Sequence, residues 1–139
     1  MLIRDYKTED YDPIVALYKD STIYGGQFDE DRDSKERLEK VSANTLHAIL
    51  VAEDNGNIVG TVSLFEDERL AWLFRFAVAE NEVGVAKALY IKAVEILKSK
   101  GHTQVLVYAP AGDKQYEKRY HELGFNIGND YTCYWRDLS

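Results

Sequence analysis

The sequence predicts an α/β domain in which helices lie on the faces of a mixed sheet, and three observations point to it. Two apolar segments, His47 to Glu53 and Ile58 to Phe65, flank the tight-turn signal Asn55-Gly56-Asn57 and read as a β-hairpin. A third strand, Leu70 to Val78, carries Trp72, Phe74, Phe76 and Val78 on one predicted face and Leu73, Arg75 and Ala77 on the other. Apolar residues on both faces place that strand at the centre of a sheet covered from both sides. The longest helical pattern, Val83 to Lys100, then precedes a short apolar strand at Val105 to Tyr108.

The elements follow in order from the N-terminus. A short strand spans Leu2 to Asp5, and a helix starts near Asp12-Pro13, where Asp12 suits the N-cap and Pro13 the first helical position. Tyr11, Ile14, Leu17 and Tyr18 share one face of that helix. Ser21 to Asp33 reads as a loop, with Gly25-Gly26 and the acidic residues Asp29, Glu30, Asp31 and Asp33. Asp33 and Glu36 have capping-box spacing for a peripheral helix in which only Leu38 and Val41 seek the core. In the long helix, Ala86, Leu89, Tyr90, Ala93 and Leu97 share a face, and Gly101 stops it. Asp113 to Leu123 forms a last helix ending at Gly124, and Phe125 to Ile127 with Tyr131 to Trp135 forms a closing hairpin. The predicted order is β-α-α-β-β-β-α-β-α-β-β.

A chain of 139 residues with 45% hydrophobic content has the length of one domain, 1–139, and enough apolar side chains for a core. The first ten residues carry Arg4, Asp5, Lys7, Glu9 and Asp10 and do not resemble a signal peptide. No later segment approaches the roughly 18 apolar residues of a membrane span. The expectation is a soluble, cytoplasmic protein. Cys133 is the only cysteine, which excludes an intramolecular disulfide, and with no activating neighbour it reads as a packing residue. His47, His102 and His121 lack metal-site spacing, so no metal is expected. A net charge of −7 opposes nucleic acid and anionic membranes and favours a cationic partner.

Two places can carry chemistry. At the junction of strand and long helix, Asn81, Gly84 and Ala86 leave a helix N-terminus whose backbone N–H groups can meet a pyrophosphate. The second place is Tyr120-His121-Glu122-Leu123-Gly124-Phe125, at the end of the last helix. From the residues alone Tyr120 is either a core aromatic one turn from Tyr116 or a phenol facing a cleft. Glu66 and Glu68 are either solvated charges of the turn before the central strand or proton acceptors. Arg75, a charge within that strand, either binds an anionic part of a substrate or pairs with a carboxylate of the first two helices.

Together the two places resemble the GNAT superfamily of N-acetyltransferases. The first is similar to its cofactor motif Q/R-x-x-G-x-G/A, with Asn81 at the Gln or Arg position, and the second to its Y-x-x-x-G-F segment. The element order over essentially the whole chain also agrees. The resemblance implies an α/β (α+β) fold with a mixed, mostly antiparallel sheet, helices on both faces, and a V-shaped splay between two central parallel strands. It implies acetyl-CoA as co-substrate, with the pyrophosphate on the backbone of Val83, Gly84, Val85 and Ala86 and the pantetheine arm along Phe76, Ala77 and Val78. Asp113, where the family often has Asn, and Tyr116 would line the other wall.

The implied reaction is direct attack of an amine on the thioester through a tetrahedral intermediate. Tyr120 would protonate the leaving thiolate, and Glu68 or Glu66 would take the proton of the ammonium. The partner would be a small-molecule amine or a peptide amine, with a homodimer left open. Glu80 and Glu82 beside Asn81 oppose a diphosphate, so the alternative is a catalytically inactive binding or regulatory module of the same fold.

Overall fold

The computed structural model describes residues 1–20, 27–79, 82 and 84–139. The predicted loop residues 21–26, with Gly25-Gly26, and Glu80, Asn81 and Val83 lie outside them. The chain forms two compact units, Met1–Tyr108 and Ala109–Ser139.

The first unit holds β1 (Leu2–Asp5), α1 (Tyr11–Asp20), α2 (Lys35–Asn44), β2 (Ile49–Asp54), β3 (Asn57–Glu66), β4 (Ala71–Val78), α3 (Val85–Ser99) and β5 (Leu106–Val107). The five strands form one sheet in the order β1-β2-β3-β4-β5, antiparallel except for the parallel β4–β5 pair. The β2–β3 turn follows its sequence signal: Asn55 (φ 51°) and Gly56 (φ 82°) are both left-handed, as a two-residue type I′ hairpin turn requires.

Each face of the sheet has its own cover. Val51 and Ala77 join Ile14 and Tyr18 of α1 and Leu38 of α2 in one buried cluster. On the opposite face, Gly60 sits so close to α3 that a Cβ there would stand 2.7 Å from Val85 Cγ1 and 2.9 Å from Leu89 Cδ1. The buried residues of α3 are Val85, Leu89, Ala93, Ile96 and Leu97, so its seam is rotated slightly from the predicted one. The helix ends in a Schellman motif: Gly101 (φ 91°) donates to the Lys98 carbonyl and His102 to that of Leu97.

Four expectations need correction. α1 starts at Tyr11, with Asp12 in its first turn rather than at the N-cap, because a 3-10 turn at Thr8–Asp10 already leads into it. The N-cap of α2 is Ser34, whose side chain accepts from the Arg37 N–H, because Asp33 is committed elsewhere; Val41 is exposed. The faces of β4 do not alternate throughout. Thr61 pairs with Ala77 but Ser63 with Phe74, so Arg75 and Phe76 together oppose Val62 in a β-bulge. Ala77 therefore shares the face of Trp72 and Phe74, and Val78 that of Leu73.

The fourth correction falls in the second unit, where α4 (Lys114–Glu122) is the one helix and no strand forms among residues 125–139. Of the predicted closing hairpin, Phe125 is half-buried, but Ile127, Tyr131, Tyr134 and Trp135 are exposed. A two-stranded hairpin that buries no apolar face is marginal in water.

Candidate functional site

The site is built where β4 outruns β5. The two strands pair only at Trp72↔Leu106 and Leu73↔Val107, and β4 continues through the bulge to Val78. The Tyr108 ring stacks on Trp72 with centroids 4.5 Å apart, just past the end of β5. The parallel pairing thus ends after two residues, at Leu73 and Val107, while β4 runs on to Val78, where the sequence places the divergence.

The chain passes from β4 into α3 with Gly84 as N-cap, at φ 81°, and among the described residues no side chain caps the helix. Only glycine holds that conformation without strain. No acidic residue stands in the first turn of α3, and among the described residues a Cβ on Gly84 would meet no atom within 4 Å. N–H groups without a side-chain cap, at the positive end of a helix dipole, suit an anion. Behind them Val85 is buried beneath Gly60, while Ala86 is half-buried. Asn81 and Val83, assigned from the sequence to this place, lie outside the described residues, and Glu82 is exposed.

At the bulge Arg75 adopts φ 50°, left-handed backbone that costs a non-glycine residue roughly 1 kcal/mol. Its side chain explains how the charge is tolerated. Nε donates to Asp33 Oδ1 at 3.0 Å, Nη2 meets Asp33 Oδ2 at 2.8 Å, and Nη1 donates to Gln27 Oε1 at 3.1 Å. The guanidinium also lies over the Phe74 ring, 4.6 Å from its centroid. Of the two sequence accounts of Arg75, an ion pair is present, but its carboxylate comes from the segment before α2 rather than from either of the first two helices. Asp33 is its partner, and no local pattern could have named it across 42 positions.

The two candidate bases are at the other end of β4. Glu66 pairs with Ala71, five residues before Phe76 and roughly 15 Å away along extended chain. Glu66 Oε1 lies 2.8 Å from His102 Nε2, and Oε2 3.3 Å from Lys100 Nζ. The His102 hydrogen bond, with Lys100, holds the Glu66 carboxyl below the usual range, which works against proton uptake. Glu68 is exposed in the turn.

In the second unit the Asp113 carboxylate caps α4, accepting from the N–H groups of Gln115 (3.0 Å) and Tyr116 (3.3 Å). The helix closes with a second Schellman motif: Gly124 (φ 95°) donates to the His121 carbonyl and Phe125 to that of Tyr120. Tyr120 is buried, with its ring edge-on to Phe125 at 5.6 Å and tilted against Tyr116 at 6.2 Å. The Y-x-x-x-G-F spacing is therefore a helix ending, in which residues C3 and C″ pack across a left-handed glycine.

Residues 11–125 match the family described as acetyltransferase (GNAT). The fold is similar to that of the PaiA N-acetyltransferase from Thermoplasma acidophilum in complex with coenzyme A, at 22% identity over 94% of this chain and 92% of that one, with a TM-score of 0.78. It is also similar to the aminoglycoside antibiotic 6'-N-acetyltransferase AAC(6')-IG from Acinetobacter haemolyticus (14% identity, all of both chains, TM-score 0.78). A third similar structure is the ribosomal-protein-alanine N-acetyltransferase from Brucella melitensis (21% identity, 91% of this chain and 85% of that one, TM-score 0.71).

Proposed function

Because this chain belongs to the acetyltransferase (GNAT) family, we propose that it is an acetyl-CoA-dependent N-acetyltransferase acting on a primary amine. The observation that carries this reading is the end of β4, where the strand outruns its parallel neighbour β5 and leads into an α3 N-terminus that has glycine for its cap. A thioester arm laid along Phe76 to Val78 would bring its diphosphate to the backbone of Gly84, Val85 and Ala86. Asn81 and Val83 belong to the same proposed cradle, and Asp113 and Tyr116 are assigned to the coenzyme by the same resemblance.

Bound acetyl-CoA would supply an acetyl thioester that the amine nitrogen attacks; a C–N bond forms, the C–S bond breaks, the nitrogen gives up its extra proton to water, and the sulfur leaves as a thiolate. Tyr120 is assigned to protonate that sulfur, since its phenol carries a proton that a departing thiolate can take. This assignment rests on the Y-x-x-x-G-F segment. The ammonium must lose a proton before it attacks. Of the two carboxylates, Glu66 is tied to His102 and Lys100, which leaves exposed Glu68, acting directly or through water, as the better candidate.

Among the described residues no helix is long and apolar enough to cross a membrane, and we assign the protein to the cytoplasm. The net charge of −7 favours cationic amines over nucleic acid or anionic membranes. The test is calorimetry with acetyl-CoA, followed by a screen of small amines and peptide N-termini for CoA release. Saturable binding with amine-dependent release is expected. Binding without release from any amine would favour the inactive module, and no binding would end the acetyl-CoA reading.

A further inference from the structure

We propose that Asp33 is a positioning residue which, through Arg75, holds the β4 bulge in the shape that receives the thioester arm. This rests on the acetyl-CoA reading given above. A left-handed arginine in a central strand is not self-sustaining; something must hold it there. Asp33 has the means. It is 2% exposed, and both of its carboxylate oxygens accept from the Arg75 guanidinium. The two parallel contacts orient the arginine as well as neutralise it. Asp33 is itself tied in place: its Oδ2 accepts from the Asp29 N–H at 2.9 Å, and its carbonyl accepts from the Tyr11 hydroxyl at 2.8 Å.

The anchor thus runs from α1 and the segment before α2, through one ion pair, to the residue whose backbone breaks the β3–β4 ladder. Phe76 and Ala77, beside which the arm is proposed to lie, follow directly, so a change in the bulge would re-aim their backbone. A merely structural ion pair would neutralise two buried charges and do nothing more. The two roles part on what replaces Arg75. Glycine accepts φ 50° without strain, and leucine does not.

The test uses the full chain with Asp33→Asn alone and combined with either Arg75→Gly or Arg75→Leu. Acetyl-CoA affinity is read by calorimetry, and the bulge by NMR chemical shifts of the amides of Phe74 to Ala77. Asp33→Asn is expected to weaken acetyl-CoA binding about 10- to 100-fold, the loss of one or two backbone hydrogen bonds to the arm, and to move those amide signals. Adding Arg75→Gly should restore both; adding Arg75→Leu should restore neither. Equal rescue by glycine and leucine would overturn the proposal, because charge burial alone would then explain the pair. Unchanged binding and signals in Asp33→Asn would overturn it too. Should the single variant fail to fold, the comparison between the two double variants decides. If the unmodified chain binds no acetyl-CoA, the acetyltransferase reading falls, and the amide signals alone then decide whether Asp33 holds the bulge.

Discussion

Helices α3 and α4 end in the same way and begin in opposite ways. Both close on a Schellman motif around a left-handed glycine, Gly101 in one and Gly124 in the other. At its start α4 has the Asp113 carboxylate on two N–H groups, whereas α3 has Gly84 and, among the described residues, no capping side chain. A capping side chain contributes about 1 kcal/mol, so α3 forgoes stabilisation that α4 takes. α3 can do without it because its buried residues, Val85 through Leu97, hold it to the sheet. The difference separates a helix start filled by the side chain of its own N-cap from one whose glycine N-cap cannot fill it, where the diphosphate is proposed to lie.

The largest expected effect comes from filling the open start. Gly84→Glu adds a negative charge and forces a side chain onto φ 81°, so acetyl-CoA binding should fall below detection in calorimetry while circular dichroism stays that of a folded protein. Equal binding by variant and unmodified protein would place the diphosphate elsewhere. The next effect lies at the far end of α4. Tyr120→Phe keeps the ring packing on Phe125 and Tyr116 and removes one oxygen. Turnover with an amine found by screening should drop roughly 10²- to 10⁴-fold, with acetyl-CoA affinity far less changed. Undiminished turnover would leave Tyr120 as the hydrophobic contact of a helix ending and nothing else.

The two helix stops were legible in the sequence because capping is local: Gly101 and Gly124 each act within a few residues of their own position, as does Asn55-Gly56 in the β2–β3 turn. The two starts were not legible as caps, since the helical pattern begins at Val83 and the resemblance assigns Asp113 only to the coenzyme, whereas Gly84 and Asp113 are the N-caps. The Asp33–Arg75 pair was not legible as a pair, since it joins positions 42 apart. That pair also explains two neighbouring misreadings. With Asp33 turned to Arg75, the cap of α2 moved to Ser34, and with Arg75 left-handed, β4 lost the strict alternation that its apolar residues suggested. The Glu66–His102 contact, 36 positions apart, was hidden for the same reason. The closing hairpin failed differently: its apolar residues had the right pattern, but pattern forms a strand only where a face is buried.

A smaller effect tests what holds α3 in the absence of a cap. Gly60→Ala would put its Cβ 2.7 Å from Val85 Cγ1, and a β-branched valine in the first turn of a helix has little freedom to yield. Stability should fall by about 1–3 kcal/mol, the usual cost of overpacking, measured by urea denaturation. Acetyl-CoA affinity should fall as well, since Val85 carries part of the proposed cradle. A variant of unchanged stability would mean that α3 is not pressed onto β3 at this point.

The smallest effect is expected at the filled start. Asp113→Ala removes the acceptor for the N–H groups of Gln115 and Tyr116 and should cost about 1 kcal/mol, seen as a loss of helical signal and of denaturant resistance. Asp113→Asn removes the charge and keeps an acceptor oxygen, and asparagine caps about as well as aspartate, so its stability should stay near that of the unmodified protein. The pair of variants also separates capping from the coenzyme contact assigned to Asp113 by resemblance. If the side chain only caps, alanine and asparagine should both leave acetyl-CoA affinity within a few-fold; if it also meets the coenzyme, the asparagine variant should bind acetyl-CoA differently while keeping its stability. Alanine and asparagine variants as stable as the original would show that α4 does not depend on its cap, and the contrast with α3 would then lie in packing alone.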